Sequence, residues 1–291
     1  MITEIRNERL ALQVSSLGAE IQHLILDGKR DVMWSADPKY WDEKDPILFP
    51  CVGGNWAGQI IVAGKSFALE KHGFAKNMEF ELTKQSENSL TYAITDTIDT
   101  HKKYPFAFRF EVTYTLSGTT LSVCWNVHNP NATRMPFMVG AHPAFSLPDY
   151  NDGEVHGYLQ FKEVDELLST PTLPFGYTQP ELTEEFSLTD HLLPLTDNTF
   201  KCDTILDRTE RVSEVSLLDK EKKELVALKF NMPVLALWAP NNGQCPFVCI
   251  EPWSGCCDNY QHKGEFIERP FVNTVPPFGT WTNTYSIEVK G

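Results

Sequence analysis

The sequence predicts an all-β fold, a sandwich or barrel of antiparallel strands, and three observations predict it. The dominant hydrophobic period is two, as expected where alternate side chains meet a core and solvent. Turn signals interrupt that alternation every 8 to 12 residues or so, the spacing of sandwiches and barrels. Helical periodicity is scarce. In chain order, "LALQVSSLGAEIQHLIL" (10–26) alternates, breaks at Gly18 and resumes. "SFALEKHGFA" (66–75) and "FELTKQSENSLTYAIT" (80–95) follow the same rule. In 106–129 the spacing of two is unbroken from Phe108 to Leu116, "LSGTT" makes a turn, and Leu121, Val123, Trp125 and Val127 resume it, which predicts a hairpin. "RVSEVSLLD" (211–219) is a further strand. Two short stretches, "DPKYWD" (37–42) and "KEVDELL" (162–168), read as weak helical turns. Segment 146–200 is richer in Pro, Thr and Asp and reads as long surface loops with a few strands. With no repeat, linker or low-complexity tract, residues 1–291 are expected to form a single domain.

Composition narrows the function. A net charge of -14 argues against nucleic acid and anionic membrane as partners. No run approaches the ~18 apolar residues of a membrane span. The start, "MITEIRNERLALQV", lacks a signal-peptide pattern, and seven cysteines are an odd number. Together these suggest reduced thiols and a cytoplasmic protein. Cys245, Cys249, Cys256 and Cys257 form no CxxC pair, and "CPFVCIEPW" alternates as a strand, so buried structural cysteines are the better reading than zinc. There is no GxSxG elbow, dinucleotide loop or P-loop.

Three stretches break the strand rhythm with polar residues: "EKHGFAKNMEF" (70–80), "VGAHPAFSLPD" (139–149) and "FVCIEPWSGCCDN" (247–259). Each sets one titratable residue among apolar neighbours: His72, His142 and Glu251. A carboxylate ending an apolar run is costly to bury unless it is paired or held near a polar site. Two histidines and a glutamate suit general acid-base chemistry near neutral pH. They also suit a metal, and spacing alone does not decide between the two. Gly73 beside His72 lets the backbone come close to a ligand.

These stretches, in this order, resemble the aldose 1-epimerases (galactose mutarotases), and most closely the branch sometimes called LacX-like. The resemblance covers nearly the whole chain, from "SSLGAEIQHLILDGKRDVMW" through "PILFPCVGG", "EKHGFAKNMEF", "MPFMVGAHPAF" and "PFVCIEPWSG" to "TYSIEV". It implies an antiparallel β-supersandwich and a small sugar as partner. It implies His142 as the acid that protonates the ring oxygen and Glu251 as the base at the anomeric hydroxyl. His72 would bind and orient the sugar, Asp203 would hold hydroxyls with Asp207 as its rival, and no cofactor or metal would be needed. Trp238 and Trp253 would line a groove, or else pack in the core. The protein is expected to be a monomer or homodimer. Two departures affect substrate choice. Gly54 and Asn55 stand where many relatives carry arginine after "FPxxG", and Lys76 replaces an arginine after "HGFA". A hexose-6-phosphate mutarotase would need a phosphate cradle, for which Lys71, Lys76 and Arg109 are the candidates. A non-catalytic carbohydrate-binding or regulatory sandwich is the reading from another class.

Overall fold

In the computed structural model, residues 1–148, 150–151, 153–172 and 176–291 are described. The alternation becomes antiparallel sheet. Arg109–Ser117 and Thr120–His128 pair over their full length, Ser117 opposite Thr120, with buried and half-buried residues alternating along both. Phe110, Val112, Tyr114, Leu121, Val123 and Trp125 point to the core. Each such aliphatic or Phe side chain contributes ~1.5–3 kcal/mol of burial. On the opposite face, Thr91 and Ser89 of the neighbouring strand pair with Thr113 and Thr115.

This hairpin is the middle of a nine-stranded sheet. From one edge the order is Leu192–Leu195, Gly157–Phe161, Glu214–Leu218, Glu224–Lys229 and Thr280–Val289. The hairpin follows, then Ser89–Thr95 and Glu81–Gln85. A seven-stranded sheet is built around Phe247–Ser254. On one side of that strand lie Val234–Trp238, Thr204–Asp207, Glu166–Ser169 and Glu184–Ser187. On the other lie Val139–Gly140 and Ala144–Ser146. All eight residues of Phe247–Ser254 are buried, because this strand is covered on both faces. Ile2–Arg6, Leu10–Ser15, Ile21–Leu26 and Arg30–Asp31 make a smaller sheet at the start of the chain. Phe49, stacked 4.6 Å from Phe110, belongs to the core shared by these sheets.

Of the two weak helical expectations, the single turn at 37–42 is met and the one at 162–168 is corrected. Residues 37–42 form a turn, with the Tyr40 and Trp41 amides donating to the Asp37 carbonyl. "KEVDELL" contains a strand, Glu166–Ser169, whose Leu167 is fully buried, so tertiary burial overrode local propensity. The α-helix among the described residues, Ile98–Lys103, was not anticipated; Thr97 caps it and Thr100 returns the bond to the Thr97 amide. Segment 146–200 holds four strands between irregular stretches, with five residues outside the described ones. All seven cysteines are free thiols. No helix among the described residues is long and apolar enough to cross a membrane.

Candidate active site

The floor of the site follows from strand register. Phe247–Ser254 is flanked by two pieces of chain: Gly140 pairs with Trp253, and Ala144 pairs with Cys249. Both pairings keep the same register, so the unpaired residues between them place His142 opposite Glu251. The interruption falls at Pro143, which has no N–H for the ladder. The chain stays attached because the Ala141 amide donates to the Pro252 carbonyl and the Ile250 amide donates to the Pro143 carbonyl, both at 3.2 Å. Gly140 is required here: a Cβ would lie 2.5 Å from the Trp253 ring, which itself donates Nε1–H to the Ala141 carbonyl. The buried Asp45 carboxyl lies beside the His142 backbone. As a result, His142 Nε2 lies 3.3 Å from Glu251 Oε2.

The two groups form the base of a cleft of about 230 Å³. His72, Asp203, Trp238 and Trp253 also line it, so the structure brings together every residue singled out as acid, base or sugar contact. The Trp41 and Trp238 rings wall His142 at 5.0 and 5.8 Å, and Trp41 meets Trp238 edge-on at 5.5 Å. Trp238 Nε1–H donates to Asp203 Oδ1 at 3.2 Å. Asp207 is excluded as a cleft residue, because its buried carboxylate accepts from the Leu168 and Thr209 amides and from the Thr209 hydroxyl.

His72 sits at φ +66°, its ring 5.7 Å from that of His142. Its Nδ1 accepts the Gly53 amide at 3.2 Å, which leaves the proton of the neutral ring on Nε2 as a donor. The expected role of Gly73 is corrected. A Cβ there would lie 2.2 Å from the Phe49 carbonyl, so the glycine serves a backbone crossing rather than an approach to a ligand.

Burial sets the charge state. Desolvation pushes His142 down to about 3, with Lys71 and Lys76 acting in the same direction. Desolvation raises the Glu251 carboxyl well above the usual range, and the charge of Lys71 opposes this only in part. His72 is likewise pushed well below its ordinary value by burial and then by Lys71. Near pH 7 the His142–Glu251 pair therefore carries one proton and no net charge. Glu251 Oε2 and His142 Nδ1 are buried without a hydrogen-bond partner in the protein. Orphaned buried polar atoms are costly, and at the base of a cleft a ligand's polar groups can satisfy them.

The anticipated cation and metal sets change. Asn55 is a buried staple: its amide donates to the Leu69 carbonyl and its oxygen accepts from Arg269. Lys76 is bound to Glu43 at 2.7 Å. Arg109 pairs with Glu111 on the large sheet, away from the cleft. Lys71 is the phosphate-cradle candidate that reaches the cleft without such an ion pair among the described residues. The metal-like grouping among the described residues is His142, Cys249 and Glu251, without His72. Trp41 and Asp45 went unnoticed in the sequence. Trp41 is an aromatic in the otherwise polar run "DPKYWDEKDP", which is a usable signal; Asp45 gives none, because its burial exists only in three dimensions.

The aldose 1-epimerase family model matches residues 1–281. The chain is 30% identical over 299 residues to the plasmid-encoded protein LacX of Lactococcus lactis subsp. lactis, covering 99% of each. It is similar to a solved galactose mutarotase related enzyme from Lactobacillus acidophilus, at 29% identity and TM-score 0.93, covering 100% of this chain and 98% of that one. A galactose mutarotase-like protein from Lactobacillus casei shares the fold, with TM-score 0.92 at 24% identity and full coverage of both chains. With its antiparallel sheets and its "GAHPAF" and "EPW" stretches meeting across one register, the chain belongs to the aldose 1-epimerase family.

Proposed function

We propose that the protein is a mutarotase, interconverting the α and β anomers of a free aldohexose by ring opening and closure. The observation that carries this is the 3.3 Å juxtaposition of His142 and Glu251, both unsatisfied, at the base of an aromatic-walled cleft. The two lie side by side rather than on opposite sides of the anomeric carbon. That suits the reaction, because O1 and O5 are bonded to the same carbon. The step starts with the pair's one proton moved from Glu251 to His142 across the 3.3 Å gap; Glu251 then takes the O1 proton as the C1–O5 bond breaks, and His142 gives its proton to O5. The aldehyde rotates about C1–C2, and closure on the other face returns both protons. The neutral pair that burial favours is the protonation state of the open-chain stage. His72 Nε2–H and Asp203 hold hydroxyls, while Trp238 and Trp253 offer apolar faces to the C–H faces of the sugar. A free sugar fits better than a phosphorylated one, since Lys76 is already committed to Glu43.

The charge state corrects one expectation. Unperturbed groups would give an acid limb from Glu251 and a basic limb from His142. Burial reverses them: the one-proton pair gains a proton only near the depressed His142 value of about 3, and loses it only above the raised Glu251 value. The expected kcat/KM profile is a broad plateau through neutrality with no limb near 6.5, the ordinary histidine value of roughly 6.5. A limb at that ordinary value would show a solvated imidazole in control.

His72→Asn gives a second check. Asparagine tolerates positive φ and keeps a polar side chain, so the loop should hold. KM is expected to rise at least as much as kcat falls, because His72 binds rather than transfers the proton. A fall in kcat alone contradicts that role.

A further inference from the structure

Acid-base chemistry leaves one member of the site floor without a task. Cys249 lies two residues before Glu251 on the same strand, so both side chains leave the same face. One ligand atom from each of His142, Cys249 and Glu251 lies within 4.8 Å of the others. The His142–Glu251 separation of 3.3 Å equals the ligand–ligand edge, ~3.3 Å, of a tetrahedron with metal–ligand lengths of ~2.0–2.2 Å. Glu251 Oε2, buried and without a partner, faces that space. A thiolate, an imidazole and a carboxylate are the donor set of a borderline-soft divalent ion. The other thiols are outside the group; Cys245, for example, donates to the Phe247 carbonyl.

We propose that this floor binds a divalent cation of the Zn²⁺ class through Cys249 Sγ, a ring nitrogen of His142 and a Glu251 oxygen, and that the bound ion switches off proton transfer. The cleft supplies the open fourth position. Binding releases the Cys249 thiol proton and the Glu251 carboxyl proton to solvent, with no change in oxidation state, so it weakens as pH falls. The ion occupies the lone pairs that must carry protons during ring opening, which makes it an inhibitor. Ion binding itself does not depend on the mutarotase reading; the inhibition does.

The test uses the full chain washed with chelator, with Co²⁺ as the spectroscopic probe and Zn²⁺ as the inhibitor. The expected result is a near-ultraviolet cobalt–thiolate absorption in the unaltered protein that is absent from Cys249→Ala and reduced in Glu251→Gln. Zn²⁺ should suppress anomer exchange. Loss of even an outer partner weakens a metal by about 10–100-fold, so loss of this ligand should move the inhibition midpoint of Cys249→Ala up by at least about 100-fold. Cys249→Ser keeps the side-chain shape without the thiolate and serves if the alanine variant does not fold. The proposal is overturned by no thiolate absorption, by absorption that persists in the Cys249 variants, or by Cys249-dependent binding that leaves exchange untouched. A chelator-washed protein with no mutarotation counts against the functional reading instead, while the cobalt spectrum still decides the metal site.

Discussion

Replacing Glu251 by glutamine is expected to lower kcat/KM for anomer exchange by about 10²–10⁴-fold, the usual contribution of one positioned proton transfer. In barrier terms that is ~2.7–5.5 kcal/mol. Glutamine keeps the shape and hydrogen-bonding capacity of the side chain, so sugar binding should survive. The fold should survive too. Glu251 is 1% exposed and its carboxyl is already disfavoured as an anion, so a neutral amide removes a desolvation burden rather than a support. Kinetics on the purified variant, with binding measured separately, checks this. If more than about a tenth of kcat/KM remains, a barrier change under ~1.4 kcal/mol, the base is misassigned.

The His142→Asn variant is expected to fall by a similar factor, and the double variant to fall little further. Acid and base act on two oxygens of one carbon in one step, so half of the relay is of little use. Groups that work as a unit show this non-additivity. Losses that multiply in the double variant would mean that the two residues contribute independently, against a shared proton relay. Backbone hydrogen bonds hold the chain on either side of residue 142 whatever its side chain, Ala141 to Pro252 and Ile250 to Pro143, so the local backbone should persist in both variants.

The legible part of the protein was whatever repeats at short range. The hairpin at 106–129 is visible because every second side chain is apolar, and the structure buries those residues. Glu251 stood out because a carboxylate closes an apolar run. Its partnership with His142 was not legible from spacing, since 109 positions in sequence collapse to one cross-strand pair through the register around Pro143. Glu166–Ser169 reads as helix because Asp165 and Glu166 between Val164 and Leu167 mimic helical spacing, while its pairing strands lie further along the sequence. Asp45 gives no signal for the same reason: it lies in a polar stretch, and only the fold buries it. The exchange of arginine for Asn55 was visible, while its consequence, a buried link to Arg269, was not.

Whether the protein accelerates anomer exchange is read by polarimetry. Freshly dissolved α-glucose and α-galactose are followed with and without the chelator-treated protein, at matched pH and buffer. The expected result is a faster approach to the same final rotation for at least one of the two sugars. Rotation that relaxes at the uncatalysed rate for both, with protein that demonstrably binds them, would contradict it and favour a sugar-binding sandwich that does no chemistry.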